Sequence, residues 1–201
     1  MRLNLDKVLS LVLLVFFACG IEIHAQHVSF GTWAAGDIVI MKGVPETLNF
    51  NDKKQVINPG ISQTVTINLN DPQPAVLTIE GTEYMDVTVY IDAPVALDLD
   101  PANQIPVAIR FAYSNLGTLD MALAKNQAIE VPVGFNTATF PILRRINGPP
   151  GPPPTPPSSG YIPPRKKAWL FIYGTLGPVG SVNAGMYSGI VNVTVEYTKN
   201  N

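Results

Sequence analysis

Residues 190–197, close to the C-terminus, alternate strictly: Val191, Val193, Val195 and Tyr197 fall on one side, and Ile190, Asn192, Thr194 and Glu196 on the other. A period of two, in a run rich in β-branched side chains, requires a strand with one buried face. A helix would scatter the same valines around its circumference. The chain therefore closes on a long strand, entered through a stretch punctuated by Gly174, Gly177, Gly180, Gly185 and Gly189.

The same alternation recurs upstream. Val65, Ile67 and Leu69 oppose Thr64, Thr66 and Asn68, and Ala75, Leu77 and Ile79 oppose Val76, Thr78 and Glu80. Met85, Val87, Val89 and Ile91 oppose Asp86, Thr88, Tyr90 and Asp92, while Val107, Ile109, Phe111 and Tyr113 oppose Ala108, Arg110 and Ala112. Shorter candidates are 37–41, 47–50, 128–133 and 168–173. Turn-forming runs separate them, among them Asn58-Pro59-Gly60, Asn70-Asp71-Pro72 and Asp100-Pro101-Ala102-Asn103. Only residues 119–127 read as a short helical run. Short strands, turns and one-sided alternation predict an all-β fold, an antiparallel immunoglobulin-like (pilin-like) β-sandwich, because parallel strands tend to be apolar on both sides.

One segment departs from this pattern. Residues 148–164 read Gly-Pro-Pro-Gly-Pro-Pro-Pro-Thr-Pro-Pro-Ser-Ser-Gly-Tyr-Ile-Pro-Pro. Proline lacks an amide donor and holds φ near one value, so this run is expected to be a polyproline-like loop inserted between strands. Arg144 and Arg145 precede it, and Arg165, Lys166 and Lys167 follow. It reads either as a solvated insertion or as a semi-rigid arm for partner contact.

Residues 1–25 have the layout of a secretory signal peptide: Arg2 and Lys7, an apolar run over 8–18, then Ile23-His24-Ala25. The apolar run is shorter than the roughly 20 residues a bilayer span needs. Cleavage is expected after Ala25, with Gln26 as the new N-terminus and 26–201 as a single domain. Lipidation at Cys19 is the alternative; bulky Phe17 before Ala18 fits it poorly. Cys19 is the only cysteine, so cleavage at Ala25 leaves no disulfide and no thiol chemistry. With 13 Lys and Arg against 15 Asp and Glu, the chain lacks the basic field that nucleic acid demands.

Catalytic patterns are not evident. After Ala25 the chain has one histidine, His27, and no phosphate-cradling glycine loop precedes a helix. Asp98, Asp100 and Asn103 offer oxygens suited to calcium, but without the glycine-turned ligand loop they read as a solvated turn. Glu80 with Glu83, and Asp86 with Asp92, are the carboxylate pairs to weigh for glycoside hydrolysis; Asp86 and Asp92 simply share the wet face of one strand. Trp33, Trp169, Tyr84, Tyr90, Tyr161 and Tyr173 are candidates for a sugar-stacking platform. Trp169 shares its face with Phe171 and Tyr173, which reads as core. Asn192-Val193-Thr194 fits a glycosylation sequon but lies within a strand. The expectation is a protein with no enzymatic role, no cofactor and no metal.

Three C-terminal blocks carry a resemblance: Tyr173-Gly174-Thr175-Leu176, then Ala184-Gly185-Met186-Tyr187-Ser188-Gly189, then Val193-Thr194-Val195-Glu196-Tyr197. In these the chain resembles a domain-of-unknown-function family of secreted Gram-negative bacterial proteins, itself similar to spore-coat-U-type and fimbrial subunits. Leu48-Asn49-Phe50 matches an earlier family step in part, with Asn51 in place of the usual glycine. The resemblance implies a secreted or cell-surface structural or adhesive protein, possible fimbria-like assembly with neighbouring subunits, and no membrane-integral form after processing. A soluble module that holds a glycan or protein is the alternative. Gly174, Gly185, Tyr187, Gly189 and Tyr197 are its fold signature, with Tyr187 expected to bond backbone through its hydroxyl as tyrosine corners do. In fimbrial relatives an N-terminal strand completes a neighbour. Here residues 27–30 or 37–40 are candidate donors, or this segment pairs within its own chain.

Overall fold

A computed structural model of the chain describes residues 26–56, 61–145, 163–179 and 182–198. The expected signal segment, with Cys19 and Ala25, and all of the proline-rich run except Pro163 and Pro164 lie outside them. Strands follow one another as β1 (His27–Ala34), β2 (Val39–Lys42), β3 (Leu48–Asn49), β4 (Gln63–Ile67), β5 (Ala75–Thr82), β6 (Asp86–Asp92) and β7 (Ala96–Asp100). Then come β8 (Asn103–Ser114), the helix α1 (Met121–Asn126), β9 (Ile129–Glu130), β10 (Thr137–Pro141), β11 (Arg165–Val179) and β12 (Ser188–Tyr197). The fold is all-β, as the alternation requires.

The strands form one curled, twelve-stranded sheet. In one half β12 lies between β6 and β1, β10 flanks β6, and β3 flanks β1. In the other half β11 is the spine: β8 runs along one side, and β5 and β4 share the other. β8 joins the halves. Its start pairs with β7, and from Val107 onward it pairs with β11.

One expectation is corrected. The sheet is mixed, not antiparallel, because β1 runs parallel to β12 over eight residue pairs, from His27 beside Ser188 to Ala34 beside Val195. The two strands come from opposite ends of the chain, so no hairpin dictates their direction. Burial decides it instead: Val28 and Phe30 point into the core beside Val191, Val193 and Val195.

The core follows the predicted faces. Val87, Val89 and Ile91 on β6, Leu77 and Ile79 on β5, Val65 and Ile67 on β4, and Leu170 and Ile172 on β11 are all buried in one cluster. Each such side chain contributes roughly 1.5–3 kcal/mol when fully removed from water, an upper figure because an unfolded chain already hides some apolar surface. Met85, expected to face inward, is exposed; it belongs to the turn before β6, where the alternation ends.

β11 is buried on both faces. Leu170 and Ile172 enter the main core, while Phe171 and Tyr173 are covered on the opposite face. Cover comes from the excursion that follows β8, where the Trp169 indole donates to the Thr118 carbonyl at 2.8 Å and α1 lies against β11. Asp120 starts that helix by accepting from the amides of Ala122 and Leu123. The same cover buries Ser114 and also Ala112, which the alternation places opposite the apolar side of β8.

Candidate functional site

The outward face of the β10-β6-β12-β1 half carries side chains of four adjacent strands away from the core. Along β12 it presents Ile190, Asn192, Thr194 and Glu196; along β6, Asp86, Thr88, Tyr90 and Asp92. β1 adds Ser29, Gly31 and Trp33. The register aligns Trp33, Thr194, Tyr90 and Thr137 in a single row across the four strands. Trp33 is 56% exposed and Tyr90 42%, although tryptophan and tyrosine both carry large apolar rings. Two strand spacings separate them, roughly 10 Å.

Beneath the row lies a rigid support. Val191, Val193 and Val195 are closed off from water on the inner side of β12, as are Val87, Val89 and Ile91 on β6. Gly31 shapes the space beside Trp33: a Cβ there would lie 2.5 Å from the Asn192 side-chain oxygen, so glycine lets that carboxamide lean across β1. Thr88 shares hydroxyl hydrogen bonds with Thr139 at 3.0 Å and Thr198 at 3.1 Å, which tie β6 to its neighbours. Asp86, Asp92 and Glu196 make no ion pair among the described residues.

The other aromatic candidates fall elsewhere. Trp169 stacks on Phe171 at 6.4 Å under the excursion after β8. The Tyr173 hydroxyl donates to Glu130 at 2.6 Å, and Arg110 both pairs with Glu130 and lies over the Tyr173 ring. Burial, followed by the hydrogen bond to Glu130, pushes the Tyr173 phenol well above its ordinary value. Tyr84 stands at the edge under Arg145, and Tyr161 lies outside the described residues. A shallow groove of about 260 Å³ between β9 and β10 is lined by Tyr113, Pro132, Phe135 and Thr139, and it opens beside the Tyr90 row.

The signature residues have structural surroundings. Gln26 is buried, and its carbonyl accepts the Phe50 amide. Tyr187 is 1% exposed and donates to the Asn183 carbonyl at 2.9 Å. A Cβ on Gly174 would collide with the Ala108 carbonyl oxygen, so β8 approaches β11 there as only glycine permits. Gly185 rests on Leu99, and Gly189 on Leu97 and Pro94. The Tyr197 hydroxyl accepts the Thr82 amide.

Asp100 is occupied by its own turn. Its carboxylate accepts from the Asn103 carboxamide and the Ala102 amide, and these bonds hold it below its usual range. Asn103 in turn accepts from Asn183. Asp98 stays exposed on β7. Among the described residues, no group of three or more His, Cys, Asp or Glu side chains is placed to hold a metal ion, and no helix is long and apolar enough to cross a membrane.

Tyr90 was legible as outward-facing from the alternation of residues 85–92. Trp33 was named beside it as a stacking candidate, but their alignment was not legible, because a strand over 27–34 has mixed, weakly alternating side chains and only its register against β12 brings Trp33 into line with Tyr90. Compared with known proteins, the chain matches no protein-family model and no curated protein.

Proposed function

We propose that this chain is an exported, non-catalytic surface protein that works by contact: an adhesive, fimbria-like module on an immunoglobulin-like sandwich. Its contact surface is the outer face of β10-β6-β12-β1. The row Trp33, Thr194, Tyr90 carries the reading. Two amphipathic aromatic side chains stand in solvent over a packed valine layer, so docking onto them costs little ordering. The first segment favours a sandwich: β1 pairs with β12, and after residues 35–38 the chain crosses to pair β2 with β5 in the opposite half, as strands do at sandwich corners. The secretory layout of residues 1–25 supports export.

The test is retention of the chain starting at Gln26 on a glycan array and on immobilised bacterial surface proteins, beside the Trp33→Ala/Tyr90→Ala double variant. Retention that the double variant loses is expected. Equal retention by both proteins, or none by either together with no self-association of the chain, overturns the reading.

A second reading, assembly by strand donation, is favoured by one observation. β1 stands at the start of the described chain and makes its ladder with β12 and two residues of β3, so a neighbouring copy could supply it. Removing residues 26–35 tests this. Rescue of the shortened domain by a peptide of that sequence supports donation; loss of folding without rescue counts against it.

A further inference from the structure

The aromatic face and the proline-rich run suit each other, although they lie in different parts of the chain. We infer that the Trp33–Tyr90 face of one copy binds the basic-flanked proline-rich segment, residues 144–167, of a second copy. The inference rests on the contact-face reading above and names the partner of that face.

Spacing is the first argument. A polyproline helix repeats every three residues, with a rise of about 3.1 Å per residue, so residues i and i+3 recur on one side about 9 Å apart. Trp33 and Tyr90 are separated by two strand spacings, roughly 10 Å. The segment supplies such pairs in succession: Pro149 with Pro152, Pro150 with Pro153, Pro153 with Pro156 and Pro154 with Pro157. Proline rings pack on exposed tryptophan and tyrosine, and a proline-rich sequence, its φ restricted at each ring, has little backbone entropy to lose on docking.

Charge is the second. Asp86, Asp92 and Glu196 project from the same face without an ion-pair partner among the described residues. The strands that build this face, β1, β3, β6, β10 and β12, contain no lysine or arginine. Arg144, Arg145, Arg165, Lys166 and Lys167 bracket the segment. Arg165 is taken by Asp37 and Glu80, Lys167 lies near Glu80 and Arg145 lies over the Tyr84 ring, whereas the Arg144 and Lys166 side chains make no ion pair among the described residues. Opposite charge at both ends of an apolar contact sets its orientation and speeds encounter.

Because each copy carries both halves, the contact is head-to-tail or reciprocal, giving open chains or closed pairs. Two variants separate the halves. One carries Trp33→Ala and Tyr90→Ala, both at exposed positions; the other has residues 148–164 replaced by a Gly/Ser linker of equal length. Sedimentation of the chain starting at Gln26 is expected to show association that rises with concentration and weakens with salt. Each variant alone is expected to sediment as a monomer, and their mixture to restore a one-to-one pair. A synthetic 144–167 peptide should bind the linker variant, at least about tenfold more weakly once both aromatics are removed. A Tyr90→Thr variant, which keeps strand preference, guards against a folding artefact and should weaken binding alike.

A wild-type chain that stays monomeric, with no peptide binding to the linker variant, overturns the inference. So does peptide binding to the linker variant with a monomeric wild type, which would mean each chain covers its own face. A glycan retained through Trp33 and Tyr90 without self-association would overturn this inference and leave the contact-face reading standing. Loss of both would end both.

Discussion

The Thr82 amide donates to the Tyr197 hydroxyl at 2.9 Å, joining the end of β5 to the end of β12 across 115 residues of sequence. Gly81 gives the hydroxyl room, since a Cβ there would lie 2.9 Å from it. The same hydroxyl bonds the Asp37 carboxylate, and this bond is the main reason that carboxyl lies below its ordinary 3.8. Arg165 closes the group, reaching Asp37 at 2.6 Å and Glu80 at 3.2 Å. One tyrosine thus pins the β1–β2 link, β5 and β12 together. Replacing Tyr197 with Phe should cost about 1–3 kcal/mol, the range for stranding a partly buried donor, as read by urea denaturation.

Opposite faces of β12 should respond differently to the same charge. Val193→Asp buries a carboxylate among valines and should abolish folding or cost several kcal/mol. Thr194→Asp points outward and should stay within about 1 kcal/mol. Circular dichroism melts of the two variants decide it, and similar losses would mean that the face assignment is wrong.

Gly174→Ala should destabilise through backbone, not through side-chain crowding. Its Cβ meets the Ala108 carbonyl, and a ladder atom cannot swing aside as a side-chain tip does. A loss of about 1–3 kcal/mol is expected, with hydrogen exchange accelerated along both β8 and β11.

Tyr187→Phe keeps the buried ring and removes the bond to the Asn183 carbonyl. A loss of about 1 kcal/mol is expected, read as a lowered Tm with unchanged far-ultraviolet dichroism.

Acid sensitivity should trace in part to Asp71. The Lys53 amine donates to it at 2.8 Å and the Asn68 amide at 2.7 Å, and these bonds, that of Lys53 foremost, hold its carboxyl below 3.8. A carboxyl depressed by folding contributes stability above its unfolded pKa and loses it as pH falls through the folded value. Between about pH 5 and pH 2, Asp71→Asn should therefore lose less stability than the wild type. Denaturation midpoints along that range provide the check.

Alternation alone assigned β4, β5, β6 and β12 to strands and named the buried sides of β4, β6 and β12, because a strand's period of two is a local property that burial makes visible; β5 is buried on both faces, with Val76 and Thr78 closed off as well as Leu77 and Ile79. It served less well where a strand is covered on both faces. Phe171 and Tyr173, read as core, are buried on the second face of β11 because residues 115–131 fold back over them, and Ala112 follows. The short helix was legible from its composition, and Asp120 explains where it starts. β7 and β10 were not anticipated: β7 continues β6 after a break at residues 93–95, and β10 has no alternating apolar face longer than Ala138 and Phe140.

The amino-acid order by itself determined that this is an all-β chain and which sides of β4, β6 and β12 face its core. Both follow from side-chain period within a few residues. Tertiary structure alone decided that the first strand lies parallel to the last, and that Trp33 stands in line with Tyr90. Strand direction and register between distant segments depend on which faces must be buried together, and no local stretch of sequence contains that information.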